Sequence, residues 1–366
     1  SMRVPFNYLP YQFNSLKKYF VGWKKLIKST QFTLGPYVEE FERSFAKFIG
    51  VKYCISTNNG TDALILSLKS LGVQKGDEVI TVCNSFYATA GAIVACGAKP
   101  IFVDADKRYQ IDINKIKKAI TKKTKVILPV HWGGASPDMK KIMSIAQKHN
   151  LKVVEDACMG IGAKLYKKSP GTFGQVSAMS MHPLKSLNVM GDGGIVVTNS
   201  KKIANWCRRY RNHGMIDRDH ISSWGVNMRL QPLQAVVANI ELKKVKNIVK
   251  IRNGNAKILD KYLSKIRGVS IPERKKNYIE TFALYMGRFK KRDKLMSFLI
   301  KNKIEVKIHY PIPLHLQKAS FKMGYRKGDF PESEKQAKEL LTLPIHQYLT
   351  NKQLYFIIKK IKEFYK

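Results

Sequence analysis

Between residues 50 and 200, short runs rich in β-branched residues alternate with amphipathic stretches. That alternation restricts the chain to folds in which mainly parallel strands are joined by helical crossovers. Val51–Ser56 reads as a strand and Thr61–Leu71 as a helix. Glu78–Val82 is the next strand, followed by a helix of small residues over Ala88–Cys96. Pro100–Asp104, Lys125–Val130 and Leu151–Asp156 continue the strand series, the last ending in two carboxylates, Glu155 and Asp156. Ser136-Pro137-Asp138 predicts a helix start, with the serine as cap, proline in the first turn and aspartate at the positive end of the dipole. Met139, Ile142, Ile145 and Ala146 form its apolar face. Ligands in such sheets bind beyond the carboxyl ends of the strands.

After about residue 240 the pattern changes. A lysine-rich helix is expected from Leu233 to about Leu263, leading into a smaller α+β segment that includes Thr281–Met286. The expected division is a large domain over 1–245 and a small C-terminal domain over 246–366. Two domains suit a chain of this length. No apolar run reaches the length of a membrane span. The start lacks a basic-then-apolar signal pattern, so the cytoplasm is the expected compartment, and Ser1 reads as an addition ahead of Met2. The five cysteines form no C-x-x-C pair, which predicts neither a disulfide framework nor a metal site.

The formal charge of +40 raises the possibility of nucleic-acid binding. Only 14 of the 66 basic residues are arginine, however, and the excess is spread along the chain. Base reading favours arginine gathered on one element. A solvated basic surface that attracts anionic substrates is therefore the preferred reading, with no specific nucleic acid expected.

Lys185 lies in Ser180-Met181-His182-Pro183-Leu184-Lys185, between an apolar run and the glycine-rich turn Gly191-Asp192-Gly193-Gly194. One lysine among so many carries no meaning alone; its context does. This run, with Glu155-Asp156-Ala157 upstream, resembles the DegT/DnrJ/EryC1/StrS family of sugar aminotransferases dependent on pyridoxal 5'-phosphate (PLP). Gly35-Pro36, Gly60-Thr61-Asp62-Ala63-Leu64, Pro129-Val130-His131, Gly171-Thr172-Phe173-Gly174, Asn227-Met228-Arg229-Leu230 and the stretch His309–Leu316 extend the resemblance along nearly the whole chain.

The resemblance implies the α/β fold of type I PLP-dependent transferases, like aspartate aminotransferase, with a mixed, mainly parallel sheet. It implies Lys185 as the amine that links to the cofactor and shuttles a proton, and Asp156 as the anion facing the ring nitrogen. Gly60, Thr61 and Ser180 would bind the phosphate, and Phe86 (or Tyr87) would cover the ring. Asn227 would reach the phosphate of a neighbouring subunit, implying a homodimer with shared sites. His131, Arg229, His309, Tyr310 and His315 are the candidate substrate residues. Buried or structural roles stay open for His131 and Arg229, and His309-Tyr310-Pro311 read alone is a rigid turn.

The chain departs from the family in carrying Met159 and Ile161 where glutamine and histidine are common. Met159 would pack on the cofactor through its thioether. His131-Trp132-Gly133-Gly134 is a second departure. The implied reaction moves an amino group from L-glutamate to a keto-sugar, expected to be nucleotide-linked, through the pyridoxamine form (PMP). A cyclitol aminotransferase shares these motifs, and a non-catalytic nucleic-acid-binding relative is the alternative from another class. Sugar 3-dehydratases of the family carry histidine where Lys185 stands.

Overall fold

The computed structural model describes residues 2–366; Ser1 lies outside them. A seven-stranded sheet forms the centre. Its strands are β1 (Tyr53–Thr57), β2 (Glu78–Val82), β3 (Lys99–Val103), β4 (Thr124–Leu128) and β5 (Lys152–Asp156), then β7 (Val176–Ser180) and β8 (Gly194–Thr198) after a short β6 (Lys164–Leu165). Their spatial order is β1-β8-β7-β5-β4-β2-β3. Pairs β2–β3, β2–β4, β4–β5 and β5–β7 are parallel, whereas β8 runs antiparallel to both neighbours. Each parallel step needs a crossover, and the alternating helices supply it. Ile80, Val126, Ile127, Val153 and Val154 are buried because helices cover both faces, so these strands read as continuous apolar runs.

Helix boundaries depart from the sequence reading where capping decides them. The helix Met139–Lys148 is capped by Asp138, whose side chain accepts from the Lys141 N–H, and not by Ser136. Ser136 is withdrawn because its hydroxyl bonds the ring of His131 instead. The expected single helix from Leu233 is two, Pro232–Glu241 and Val245–Leu263, separated by a 3₁₀ turn over Leu242–Lys244. Pro232 fixes the start of the first, where its missing N–H costs nothing.

A three-stranded sheet in the C-terminal part comprises β9 (Val269–Ser270), β11 (Tyr285–Phe289) and β12 (Leu340–Leu343), while β10 (Tyr278–Ile279) pairs with β6. Its core joins Leu259, Leu295, Leu341, Leu354 and Ile357, each side chain contributing about 1.5–3 kcal/mol by burial. Val4 belongs to the same core and pairs in parallel with Ile304, so the N-terminal segment packs on the C-terminal part. Among the described residues, no helix is long and apolar enough to cross a membrane.

The two parts are bracketed together at Gly133-Gly134. Leu284 and Thr281 donate their N–H groups to the carbonyls of Gly133 and Gly134 at 3.1 Å each. Thr281 Oγ1 donates to Met159 O at 2.7 Å. Gly134 has φ +92°, and a Cβ there would run into Thr281 Oγ1 and the backbone of Ala283. Gly134→Ala is expected to destabilise the protein by about 3 kcal/mol through strain and overpacking. Urea denaturation checks this; a midpoint unchanged from wild type would show that the bracket relaxes freely.

Candidate active site

Sheet register sets the site. Gly194 of β8 pairs with Thr57 of β1 on one side and Ser180 of β7 on the other, and Asp156 of β5 pairs with Ala178. The carboxyl ends of β1, β5 and β7 therefore meet at one edge, and a cavity of about 360 Å³ opens there. Gly60, Thr61, Phe86, Asp156, Ser180 and Lys185 line it, with Met159, His309 and Tyr310. Nine of the residues singled out from sequence are thus brought together.

Lys185 sits in the loop between β7 and β8, which is held by short-range bonds. Its N–H donates to His182 O at 2.8 Å, and Asn188 Nδ2 to Pro183 O at 3.0 Å. Ser186 Oγ ties the loop to Ile161 O at 2.7 Å. The residue is half-buried with its ammonium deep in the cavity. Burial lowers the pKa of Lys185, opposed by nearby Cys158 and Asp156. Lowering raises the fraction of neutral, nucleophilic amine at neutral pH.

Asp156 is 5% exposed and makes no ion pair among the described residues. Its Oδ2 accepts from Thr89 Oγ1 at 2.8 Å and its Oδ1 from the Cys158 N–H at 3.2 Å. A buried carboxylate satisfied only by neutral donors retains its attraction for a cationic ligand atom. Across the cavity the helix Gly60–Ser70 begins. Asn59 caps it by accepting from the Asp62 N–H at 2.7 Å, which leaves the first-turn N–H groups of Gly60 and Thr61 for the cavity. A Cβ on Gly60 would lie 2.9 Å from Ser180 Cβ, so the helix end can approach that serine only as glycine. Free N–H groups at a helix start, with a hydroxyl beside them, make an arrangement suited to an anion.

The aromatic wall consists of Phe86, Tyr310 and Trp132, with Phe86–Tyr310 centroids at 6.1 Å and Trp132–Tyr310 at 5.7 Å. Tyr87 touches Tyr310 from behind and does not line the cavity. Met159 does line it, and its sulfur accepts the Gly133 N–H at 3.2 Å. Ile161 packs into the core beneath. His309 Nδ1 meets Thr342 Oγ1 at 2.7 Å; burial, then the charges of Lys307 and Lys185, push its pKa down to about 4, so the ring is neutral at physiological pH. Burial raises the Tyr310 hydroxyl to about 12.

Four sequence candidates lie outside the cavity. His131 is fully buried, with Nε2 donating to Glu155 Oε1 at 2.8 Å and Nδ1 hydrogen-bonded to Ser136 Oγ at 2.8 Å. Its own N–H bonds Asp156 O at 3.0 Å, so it stands behind the site and positions it. His315 is buried edge-on against Phe330, with Nε2 3.5 Å from Glu334, long for a hydrogen bond. Asn227 and Arg229 occupy a surface stretch, where Asn227 Oδ1 accepts from Arg229 Nε at 3.1 Å and Arg229 Nη1 reaches Asn212 Oδ1 at 3.1 Å.

Sequence reading missed Phe6, Tyr8, Thr89 and Lys307, all cavity residues. Phe6 and Tyr8 carry no motif; they arrive because the Phe6 N–H bonds Glu305 Oε2 at 2.9 Å. Lys307 was legible in principle, since Glu305-Val306-Lys307-Ile308-His309 alternates polar with apolar and puts Lys307 on the face of His309.

The chain is similar to known proteins along its whole length. S. venezuelae DesV, solved in complex with a ketimine intermediate, has a TM-score of 0.97 at 32% identity, over 100% of this chain and 99% of that one. The UDP-2-acetamido-2-deoxy-3-oxo-D-glucuronate aminotransferase of Pseudomonas aeruginosa is 37% identical across 90% of each chain. A Geobacillus stearothermophilus protein named pleiotropic regulatory protein is 38% identical over 100% of this chain and 99% of its own. The chain's relatives and family place it among the aminotransferases. The profile of the DegT/DnrJ/EryC1/StrS aminotransferase family matches residues 19–362, and the chain belongs to that family.

Glu155, beside Asp156, is fully buried and accepts from His131, Gly171 N–H, Phe173 N–H, Gly174 N–H and Ser177 Oγ. Burial pushes its carboxyl up, but the bond and charge of His131 and the N–H groups of Gly174 and Gly171 outweigh that, and its pKa falls below the ordinary 4.5. The stability it contributes is complete above 4.5 and is lost as pH falls through the depressed value. Glu155→Gln is expected to cost about 3–5 kcal/mol at neutral pH and to flatten the acid limb of stability. Denaturation at a series of pH values reads both effects; an acid limb as steep as that of wild type would assign it to other carboxylates.

Proposed function

We propose that this aminotransferase binds PLP through Lys185 and moves an amino group from L-glutamate to a keto group on a nucleotide-linked sugar. The observation carrying this reading is the pairing, across one cavity, of a buried amine of lowered pKa with an uncompensated carboxylate. The residues fit the cofactor. Asp156 would hold the ring nitrogen as a cation, Phe86 would cover the ring, and Gly60, Thr61 and Ser180 would hold the phosphate. When bound, PLP supplies an electron sink for breaking a bond at the amino-bearing carbon. The Lys185 amine, neutral more readily than a free lysine, accepts and returns the proton at Nζ. The nucleotide-sugar acceptor rests on relatives such as the P. aeruginosa UDP-sugar aminotransferase.

Purified protein incubated with PLP and freed of excess should keep a visible absorption band that L-glutamate bleaches, with one equivalent of 2-oxoglutarate released. Lys185→Ala should lack that band. No retained band in the wild type would sink the cofactor reading; a band indifferent to glutamate would leave the cofactor and remove the donor.

A homodimer belongs to the same proposal. Trp224 is 88% exposed, in a stretch with exposed Ile216, Ile221 and Val226, and the helix Lys17–Ser29 exposes Phe20 and Ile27. Apolar residues exposed in this number support an interface there. Asn227 and Arg229 lie in the same stretch, outside the cavity of their own chain, and in the proposed dimer they would reach the partner's site. Trp224→Asp is expected to shift the protein from dimer to monomer in analytical ultracentrifugation. A wild-type monomer, or a variant that stays dimeric, would count against this interface.

A further inference from the structure

The cavity contains a cation that neither the Lys185 chemistry nor the phosphate cradle uses. Lys307 lines the cavity beside His309, with its ammonium 5.3 Å from the Phe6 ring centroid. Phe6 in turn stacks against His309 at 6.3 Å. The backbone there is fixed: Lys307 exchanges hydrogen bonds with Thr342 of β12, N to O at 3.1 Å and O to N at 2.7 Å. The nearest acid along this strand-like stretch, Glu305, is already engaged by Arg3 at 2.8 Å and by the Phe6 N–H at 2.9 Å. Lys307 is therefore left without an ion pair among the described residues. His309 lies under the influence of both Lys307 and Lys185, and burial with these two charges keeps its ring neutral. A neutral ring beside Lys307 offers hydrogen bonding without adding a further charge.

Tyr8 adds to the same wall. It lines the cavity, and its buried hydroxyl has no partner. The guanidinium of Arg252 lies over its ring at 5.1 Å. Arg252 is fully buried and bonds only Gln347 Oε1 and Phe282 O, with no carboxylate in its shell. On this side of the cavity the field is thus positive twice over, once at the rim and once behind the wall. Two positive groups without counterions favour an anionic ligand between the rim and Lys185.

We propose that Lys307, with His309 and the N-terminal residues Phe6 and Tyr8, forms a substrate-anion subsite that holds a negatively charged group of the reactant while its reacting carbon faces Lys185. This rests on the aminotransferase reading above. The recognised chemistry is an oxyanion, which two reactants could present: the carboxylate of the amino donor or the diphosphate of a nucleotide-linked sugar. A charge-assisted bond from the ammonium fixes the orientation, and the cation–π contact with Phe6 holds the ammonium at the rim.

The test measures binding to the PLP-loaded protein by calorimetry, with glutarate as the carboxylate probe and UDP as the diphosphate probe, for wild type, Lys307→Met and Lys307→Arg. Lys307 is exposed, so both variants are expected to fold and to retain the visible cofactor band. Loss of about tenfold or more in affinity for one probe in Lys307→Met, with recovery in Lys307→Arg, is the expected result. Added salt should weaken that probe less in Lys307→Met than in wild type. A loss confined to glutarate assigns the subsite to the donor carboxylate, and one confined to UDP assigns it to the diphosphate. Unchanged affinity for both probes would overturn the subsite, even with the cofactor band and glutamate bleaching intact. Absence of that band in wild type would instead refute the cofactor reading.

Discussion

One buried carboxylate organises the site. Glu155 has no contact with solvent, and all five of its donors come from the protein. They arrive from three places: the loop after β4, the turn at Gly171–Gly174, and β7. A charge so buried is tolerated only when its lone pairs are filled, so these segments are held in register by the penalty of leaving any of them out. The next residue, Asp156, points the opposite way because side chains alternate along a strand. The network under the sheet thereby sets the direction of the carboxylate that faces the cavity. Of two adjacent acids, one is fully satisfied by the protein and the other lines the cavity.

Much of this layout is written in the local sequence. The parallel strands announce themselves as apolar runs, and Glu78–Val82 has the boundaries expected of it. Asp156, Ser180 and Lys185 stand at strand ends or in the loop that follows, where position along the chain and position in space coincide. The failures have a common cause. Ser136 has the character of a cap, yet a buried imidazole five residues earlier competes for its hydroxyl. His131 resembles a substrate ligand until Glu155, 24 residues on, is seen to occupy it. Phe6 and Tyr8 reach the cavity through pairing with residues near 305, about 300 positions away, and no local pattern encodes that.

The excess of basic residues has two parts of different meaning. Most of the 52 lysines lie on the surface, where screening limits each to a small effect. In the cavity, fewer charges matter more, because low-dielectric walls concentrate their field. Asp156 and Asp192 are the acids in the lining, against Lys185 and Lys307 with two histidines, His182 and His309, whose pKa values are lowered. Surface charge of this kind attracts anions in general, whereas charges in the cavity act on one bound group.

The bracket at Gly133-Gly134 has a consequence for how the molecule comes apart. Two cores of unequal size, in a chain of 366 residues, would ordinarily melt one after the other. Here the loop that carries His131 also carries the carbonyls that receive Thr281 and Leu284, and Thr281 returns a bond to Met159. Loosening the smaller core therefore withdraws partners from the loop that supports Glu155, and the larger core loses an anchor at the same moment. Heat capacity traces of this protein should contain one cooperative peak, its width set by both cores together.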